Sequence, residues 1–451
     1  MVRYFNLPTF FAILAFFVET AHAQSWKPLG PDTGRLSTIN GWDNQPAIAT
    51  DTSGVPYIVY TEHDSLRIRV KKFDGTNWVD VGTPSYNFRG RVPSIFITQK
   101  DSIYVGYIGR SDSARCRVIK YDGADWVMVG GPIIANADSL FETSLAVDTN
   151  GAIYFGFANF YAGGKYANIV TYDGANWVSP GNATFVQNTV RICLHINKNT
   201  NELIAGYNIN TIGSLYESRL SKWNGTVWDT LGQVLYGIYN FDLAPDGTPF
   251  VMTSYGGIVV KLVNNSWVQV SAIGSIPGYS MQLSLDQSGI PYVAIGGSAA
   301  SVKKYDGSSW KFVGSASFSA TDAWDVRMAF GKGVPFITYN TGSTWYNKVY
   351  AMYYDESLGI SLLQPKSNSV RMYPNPMYGR EIFVEGLLPS SYHITLVNGF
   401  GQVVYENAAE YRLGNKRLKL TLDLQLSMGM YYLIIDNGTE CYSMPLIVKT
   451  E

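Results

Sequence analysis

Short apolar runs separated by turn residues fill most of this 451-residue chain. In residues 46–60, one apolar run ends at the turn Asp51-Thr-Ser-Gly54, and a second run follows. Runs of this kind, rich in Val, Ile, Tyr and Phe and bounded by Gly and Asp, are typical of antiparallel β-strands. A third predicted strand, such as residues 66–73, comes next. The strand–turn–strand pattern recurs at residues 93–107, 144–157, 191–207, 241–253, 282–294 and 326–339.

A second motif, an Asp-Gly or Asn-Gly turn followed by tryptophan, comes after most of the third strands. It first occurs as Asp74-Gly-Thr-Asn-Trp78 and returns every 40–50 residues or so, a period typical of β-propeller blades with four strands each. Glycine tolerates the positive φ of such turns and Asp or Asn caps them, so we interpret these acidic residues as turn formers. The predicted tryptophan anchors of the repeat are Trp26, Trp78, Trp126, Trp177, Trp228, Trp267 and Trp310.

Seven third strands can be counted, but the last, residues 349–354, has no tryptophan strand after it. One tryptophan strand, Trp26-Lys-Pro-Leu-Gly30, occurs near the start of the chain without the other strands of a unit before it. We therefore predict that residues 25–29 pair antiparallel with residues 349–354, because this pairing covers an otherwise open sheet edge. The predicted fold of residues 24–359 is an all-β, seven-bladed β-propeller with N-terminal strand closure.

The amino-acid composition agrees with such a repeat and argues against nucleic acid as a partner. Only 15% of the residues are charged, against about 25% in average globular proteins, while Gly (44), Tyr (32) and Trp (11) are abundant. The 34 Lys and Arg residues nearly balance the 35 Asp and Glu residues. No basic field is therefore available to bind nucleic acid.

Residues 1–23 are typical of a secretory signal peptide. Arg3 supplies the positive charge, residues 10–18 the apolar segment, and Ala21-His-Ala23 the cleavage site. That segment is too short to cross about 30 Å of hydrocarbon, and no longer one follows, so we expect no membrane span in the mature chain. The three cysteines, Cys116, Cys193 and Cys441, are too few and too widely spaced for a disulfide scaffold or a zinc site. We expect them to be buried thiols, and we predict no metal and no cofactor.

The pattern changes after residue 358. Residues 360–369 form a polar, proline-containing linker. About seven short strands follow in residues 370–451, which predicts a small Ig-like β-sandwich. Three segments carry a specific motif order: the Tyr-Pro-Asn-Pro of residues 373–376, the Leu-x-Asn-x-x-Gly-Gln-Val-Val of residues 396–404, and the Gly-Met-Tyr-Tyr-Leu-Ile-Ile of residues 429–435.

This tail resembles the C-terminal sorting domain, type A, of type IX secretion cargo in Bacteroidetes-type bacteria. The resemblance implies recognition by the outer-membrane translocon. It also implies export through the periplasm and outer membrane to the cell surface or the extracellular space.

Any ligand site of the predicted propeller is expected on one face. Within a blade, the first and third turns share a face and are short and repetitive here, whereas the opposite loops are longer and irregular. Irregular loops on a rigid scaffold often carry binding residues, and aromatic, arginine and carboxylate side chains suit a sugar or peptide surface. The candidate ligand-binding residues are Trp42, Arg91, Glu142, Tyr161, Arg191, Tyr239, Tyr279, Trp324, Asp325, Arg327 and Trp345.

No catalytic residue is predicted, because no nucleophile elbow, ordered Ser/His/Asp set or zinc-protease motif occurs. We interpret His195 as a packed strand residue. A sialidase-like or other propeller glycoside hydrolase is the alternative, since three of the candidate arginines begin first strands and could clamp a carboxylate. The Asp-Gly-x-x-Trp turn is similar to the Asp-box of sialidase-type propellers, but in that box one residue separates Asp from Gly. Glu142 and Asp325 are the fair candidates for a carboxylate pair.

We therefore expect a secreted or cell-surface propeller that acts as a binding or interaction module for a glycan or a protein. A second alternative is a surface or matrix protein without a specific ligand.

Overall fold

The computed structural model describes residues 25–36, 45–62, 65–83, 88–109, 115–134, 139–161, 164–181, 184–185, 191–212, 215–253, 257–273, 278–341, 348–356, 370–387, 389–398, 403–411, 417–422, 426–437 and 441–449. These residues divide into two compact units, one within Gln24–Glu356 and one within Ser357–Glu451. The predicted signal peptide (residues 1–23) and linker (residues 360–369) lie outside the described residues. Among the residues that are described, no helix is long and apolar enough to cross a bilayer.

The larger unit begins with β1 (Ser25–Pro28) and one helical turn, α1 (Pro31–Gly34), and its described part continues as seven antiparallel sheets. Sheet 1 contains β2 (Ala47–Thr50), β3 (Pro56–Thr61), β4 (Ile68–Phe73) and β5 (Trp78–Asp80). Sheet 2 contains β6 (Gly90–Ile97), β7 (Ile103–Gly109), β8 (Arg115–Tyr121), β9 (Trp126–Met128) and β10 (Ile133–Ile134). Sheet 3 contains β11 (Ser139–Val147), β12 (Ile153–Tyr161), β13 (Gly164–Tyr172), β14 (Trp177–Val178) and β15 (Thr184–Phe185).

The remaining sheets follow the same order of strands. Sheet 4 contains β16 (Ile192–Ile196), β17 (Leu203–Ile212), β18 (Leu215–Trp223) and β19 (Trp228–Tyr236). Sheet 5 contains β20 (Ile238–Leu243), β21 (Pro249–Thr253), β22 (Ile258–Val263) and β23 (Ser266–Ala272). Sheet 6 contains β24 (Gly278–Leu285), β25 (Pro291–Gly297), β26 (Ser301–Tyr305) and β27 (Trp310–Phe312). Sheet 7 contains β28 (Trp324–Gly331), β29 (Val334–Thr341), β30 (Lys348–Asp355) and β1.

The hydrophobic core of this unit is divided into layers between consecutive sheets. Val59 of sheet 1 packs in one cluster with Trp126 of sheet 2, and further clusters join each later pair of sheets. A seventh cluster returns from Val349 of sheet 7 to Ile58 of sheet 1. The second strands β3, β7 and β25 are buried along their whole length, which explains why they are continuous apolar runs.

The first strand of each sheet is here named its lead strand: β2, β6, β11, β16, β20, β24 and β28. Each lead strand contacts the lead strand of the next sheet, and β28 contacts β2. The order of contacts therefore passes through all seven sheets and returns to the first.

The predicted pairing of the N-terminal strand is confirmed. β1 pairs antiparallel with β30, with Ser25 opposite Asp355, and the pairing extends to Leu29, whose N–H donates to the Ala351 carbonyl at 3.0 Å. Trp26 is buried in this strand. β1 thus takes in sheet 7 the place that a tryptophan strand takes in the other sheets, although it lies at the opposite end of the unit's sequence.

The repeated tryptophans link neighbouring sheets through their indole N–H groups. Trp78 Nε1 donates to the Leu29 carbonyl at 2.8 Å, and Trp26 Nε1 donates to the Val313 carbonyl, also at 2.8 Å. Leu29 and Val313 each stand three residues after a repeat tryptophan. The same kind of bond joins Trp126 to Val81, Trp177 to Val129, Trp228 to Pro180 and Trp267 to Gln233.

A glycine follows most of these acceptor carbonyls, and the sequence analysis did not single it out. Gly30 and Gly82 have φ of +95° and +69°. A Cβ on Gly30 would lie 2.9 Å from Cδ1 of Trp78, and one on Gly82 would lie equally close to Cδ1 of Trp126. The position therefore needs glycine both for its backbone conformation and for the approach of the next indole. The signal was present as Trp-x-x-x-Gly, which recurs through the repeat.

The Asp-Gly turns are local structures, as predicted. The Oδ1 atom of Asp74 accepts the N–H groups of Thr76 at 2.9 Å and Asn77 at 2.7 Å, and these backbone bonds lower the pKa of Asp74. Asn224 accepts the same two bonds in its own turn, so the turn needs the side-chain oxygen and not the charge.

The smaller unit contains two sheets around one core. Its strands are β31 (Arg371–Tyr373), β32 (Glu381–Glu385), β33 (Ser390–Asn398), β34 (Val403–Tyr411), β35 (Leu418–Thr421), β36 (Gly429–Asp436) and β37 (Cys441–Val448). One sheet has the order β31-β32-β35 and the other β34-β33-β36-β37. Ile382 and Leu420 of the first sheet pack with Ile394 and Leu433 of the second. The alternation of buried and exposed residues on β35 and β36 agrees with sheets that are covered on one face.

The indole bond can be isolated by comparing Trp78→Phe with Trp310→Phe. Both indoles pack against a neighbouring aromatic ring at 5.6 Å, but Trp310 Nε1 is buried without a partner. We expect Trp78→Phe to lower the free energy of unfolding by about 1–3 kcal/mol more than Trp310→Phe, because only the first leaves a carbonyl unpaired. Urea unfolding followed by circular dichroism measures the difference, and equal losses would contradict a stabilising role for the bond.

The glycine contact is tested by Gly30→Ala against Gly75→Ala. Gly75 has φ +102° and no atom near its added Cβ, so this variant reports the backbone cost alone, about 1–2 kcal/mol. Gly30→Ala adds a clash with Trp78 and is expected to be clearly more destabilising in the same unfolding assay. If the two alanine variants unfold at the same urea concentration, the packing argument for Gly30 is wrong.

Candidate functional site at the starts of the lead strands

Most candidate residues with described side chains lie at the starts of lead strands. Arg91 is the second residue of β6, Arg191 directly precedes β16, and Tyr239 is the second residue of β20. Each lead strand runs from this end toward its short turn, so these starts are opposite the repetitive turns, as predicted. Trp42 and Trp345 lie outside the described residues, and the side chains of Tyr161 on β12 and Tyr279 on β24 do so as well.

Glu142, Arg191 and Tyr239 come from three consecutive sheets, and Arg191 contacts both of the others. Arg191 Nη1 lies 3.2 Å from Glu142 Oε1, and the Arg191 guanidinium lies 4.4 Å from the centre of the Tyr239 ring. The other Glu142 oxygen accepts the N–H of Ile192 at 3.2 Å. The Tyr239 hydroxyl accepts the N–H of Met281 at 3.2 Å. Each member of this cluster is thus held by at least two partners.

The charges of this cluster change the pKa of Cys193, which lies two residues after Arg191 in the chain. Burial raises the pKa of the Cys193 thiol to about 12; the charge of Glu142 adds to this effect, and the charges of Arg191 and Arg327 oppose it. Desolvation of Arg191 lowers its pKa, but the charges of Glu142, Tyr239 and Cys193, together with the hydrogen bond to Glu142, outweigh this and leave the pKa raised. Arg327 of sheet 7 is therefore close enough to influence a thiol of sheet 4.

The start of β28 carries the other candidates, and here the strand is irregular. Its pairing with β29 shifts between Trp324 and Arg327, and Asp325 between them has φ +47°. Asn340 Nδ2 donates to Asp325 Oδ2 at 3.1 Å. Arg327 Nη1 donates to the carbonyl of Val326 at 2.9 Å. Asp325 thus has an amide partner, and no ion pair joins it to Arg327 among the described residues.

Polar side chains on one lead strand accept backbone N–H groups of the next lead strand, and the sequence analysis missed this arrangement. Gln282 Oε1 accepts the N–H of Met328 at 2.7 Å, and Asp242 Oδ2 accepts that of Leu285 at 2.8 Å. These donors lie on strand edges that have no neighbouring strand. The side-chain oxygens therefore take the place of the backbone carbonyls that a neighbouring strand would supply. Further acceptors are Ser144 for Leu194, Asn240 for Leu283 and Ser280 for Val326.

A signal for this arrangement was present in the sequence. Polar residues interrupt otherwise apolar lead strands, as in Asn240-Phe-Asp242 and Ser280-Met-Gln282-Leu-Ser284. Glu142 and Tyr239 belong to the same set, because each also accepts an N–H from the next lead strand. Two candidate ligand residues therefore have a structural task.

His195 and the cysteines need separate comment. His195 lies within β16, 4.7 Å from the Phe241 ring and 3.5 Å from Asp242, and burial lowers its pKa despite that carboxylate. This position agrees with a packed strand residue. Cys116 and Cys193 are free thiols; Cys116 is fully buried as expected, whereas Cys193 is only half-buried. The side chain of Cys441 lies outside the description, and the described residues contain no group of acidic, His and Cys side chains able to hold a metal.

The links between lead strands can be tested with Ser280→Ala and Ser284→Ala, two equally buried serines of β24. Ser280 Oγ accepts the buried Val326 N–H at 3.0 Å, whereas Ser284 Oγ has a long contact of 3.4 Å with the Met328 carbonyl. We expect Ser280→Ala to lower the free energy of unfolding by about 1–3 kcal/mol and Ser284→Ala by clearly less. Thermal unfolding of both variants checks this, and a larger loss for Ser284→Ala would refute it.

Comparison with known proteins gives one match in sequence and several in structure. Residues 371–449 match the family of secretion system C-terminal sorting domains. No protein of curated function matches the sequence. Among solved structures, the chain is similar to PorZ, an essential surface component of the type-IX secretion system of Porphyromonas gingivalis. The identity is 14%, the TM-score is 0.43, and the alignment covers 90% of this chain and 59% of PorZ.

Two further structural neighbours have lower sequence identity. A protein of unknown function from Dyadobacter fermentans is 9% identical over 74% of this chain and 98% of its own, with a TM-score of 0.43. Trypanosoma rangeli sialidase in complex with sialic acid is 10% identical over 93% of this chain and 86% of its own, with the same TM-score. These likenesses assign no activity to the chain.

The sequence match covers nearly all of the smaller unit. A domain of this family implies interaction with the secretion machinery. Residues 371–449 are therefore a type IX C-terminal sorting domain, and the protein is exported to the cell surface or the extracellular space.

Proposed function

We propose that the protein is an exported binding module whose larger unit is a seven-bladed β-propeller. In this proposal residues 1–23 are the signal peptide, residues 24–359 the propeller closed by its N-terminal strand, and residues 360–369 the linker. Residues 370–451 are an Ig-like sorting domain. The circular order of contacts among the lead strands and the pairing of β1 with β30 support the propeller.

The ligand of the proposed module is a glycan or a protein, bound at the starts of the lead strands. The observation that carries this proposal is the mutual support of Glu142, Arg191 and Tyr239. A polar surface already held in place loses little conformational freedom when a ligand binds. Half-buried Trp324 and Arg327 on β28 would add an aromatic and a cationic contact.

The same observation weighs against a glycoside hydrolase. Such an enzyme uses two carboxyl groups, one of which must hold a proton for the leaving group. Glu142 is paired with the Arg191 guanidinium through one oxygen and accepts a backbone N–H with the other, so both oxygens already have protein partners. Asp325 is bound to Asn340. Both carboxylates are thus engaged in contacts within the protein.

Binding is tested by probing the mature full-length protein on a glycan array and against a displayed peptide library. We expect saturable binding to at least one glycan or peptide class. Trp324→Ala should weaken it by about tenfold or more, since buried aromatic residues dominate binding energies. Phe312→Ala is the matched control, because Phe312 is an exposed aromatic residue of the outer strand β27 and should leave binding unchanged.

Two outcomes would replace the proposal. Hydrolysis of a sialoside or another glycoside by the purified protein would favour the glycosidase alternative. Absence of binding to every glycan and peptide, with a normal unfolding transition, would favour a surface or matrix protein without a ligand.

A further inference from the structure

Exposed apolar side chains gather at one corner of the sorting domain. Met430 on β36 lies directly opposite Ile447 on β37, and Met428 precedes β36. Tyr378 is next to Met377, whose N–H donates to the Ile447 carbonyl at 2.7 Å. Tyr378, Met428, Met430 and Ile447, here named the apolar patch, are 39–70% exposed. Proteins rarely expose contiguous apolar side chains unless a partner covers them.

The strands direct the apolar patch away from the core of the domain. Tyr431 on β36 and Val448 on β37 belong to that core. Because side chains alternate along a strand, Met430 and Ile447 lie on the opposite face. The Tyr432 hydroxyl lies 3.6 Å from the Met430 sulfur, so the Tyr432 side chain extends the same outer face along β36.

Both edges of this sheet are protected against the addition of a further strand. At β37, Asn375 Nδ2 donates to the Pro445 carbonyl at 2.7 Å, and Asn375 Oδ1 accepts the Ile447 N–H at 2.9 Å. The Tyr-Pro-Asn-Pro motif thus covers the edge of β37 and holds Ile447 in place. The other terminal strand, β34, carries exposed Glu406, and a charge on an edge strand opposes pairing. A partner of this sheet is therefore expected to contact side chains on its outer face.

We propose that the apolar patch is the surface through which the secretion machinery binds the sorting domain. All four patch residues lie within residues 371–449, whose family implies interaction with that machinery. Two of the three motif segments build the patch, since residues 429–435 contain Met430 and residues 373–376 contain Asn375.

The chemistry of the apolar patch specifies the kind of partner surface. Its four side chains carry no charge, so the fitting surface is an uncharged, apolar part of a protein of the machinery. Two of the four are methionines, whose flexible, polarizable thioethers adapt to the shape of a partner. This inference concerns export and does not depend on the binding function proposed for the larger unit.

Export of the full-length protein by a bacterium with type IX secretion tests the inference. M430Q/I447T keeps the length of one side chain and the β-branch of the other but makes both polar. V403T is the matched control, because Val403 is 58% exposed and β33 separates its strand from β36. Immunoblots compare the exported fraction with the periplasmic fraction, and urea unfolding of each purified variant checks its fold.

We expect M430Q/I447T to lower the exported fraction at least about tenfold and to accumulate in the periplasm, because a few central contacts supply most of the binding energy of an interface. V403T should be exported like wild type. Both variants should unfold at nearly the wild-type urea concentration, since exposed substitutions change stability little.

Normal export of M430Q/I447T, or an equal loss in V403T, would show that the inference is wrong. Light scattering tests a second copy as the occupant: a wild-type dimer that M430Q/I447T separates without a loss of export would assign the patch to self-association instead. Should M430Q/I447T unfold early, M428Q/Y378Q decides the question, because both of its residues are at least half exposed and lie outside the strands. None of these outcomes changes the glycan and peptide tests of the larger unit.

Discussion

The hydrogen bond from six of the seven repeat indoles to a carbonyl of the neighbouring sheet constrains the distance at which two sheets pack. In Trp78 the bond to Leu29 is 2.8 Å long, and it brings the indole against the residue that follows the acceptor. That residue must be Gly30, since a Cβ there would overlap the ring. At most of the sheet contacts, one directed bond and one small residue thus fix a sheet against the next. The hydrophobic layers between sheets then form at a spacing that is already defined.

A second constraint follows from the first. Each lead strand is the terminal strand of its sheet, so one of its two edges has no strand partner. Unpaired N–H groups buried on this edge would lower the stability of the fold. Side chains such as Gln282 and Asp242 satisfy these groups from the preceding lead strand. Polar residues near the starts of the lead strands therefore cannot be taken as ligand contacts on their chemistry alone.

The repeat was predictable from sequence because each unit carries its own complete local signal. The turn that contains Asp74 and the tryptophan after it need no distant partner to be recognised, and the unaccompanied Trp26 segment followed from counting units. The helical turn α1 and the added strands β10 and β15 escaped prediction because they occur outside the repeat. At the candidate site the sequence named Glu142, Arg191 and Tyr239, but their mutual contact depends on the register between different sheets. That register is a tertiary property, and no spacing along the chain encodes it.

Pairing of β1 with β30 also constrains how the protein matures. The two strands are separated by more than 300 residues, so their pairing has one of the largest loop-closure costs in the unit and depends on the sheets between them. Until Ser25 lies beside Asp355, β30 presents a bare edge of the kind that promotes association with other chains.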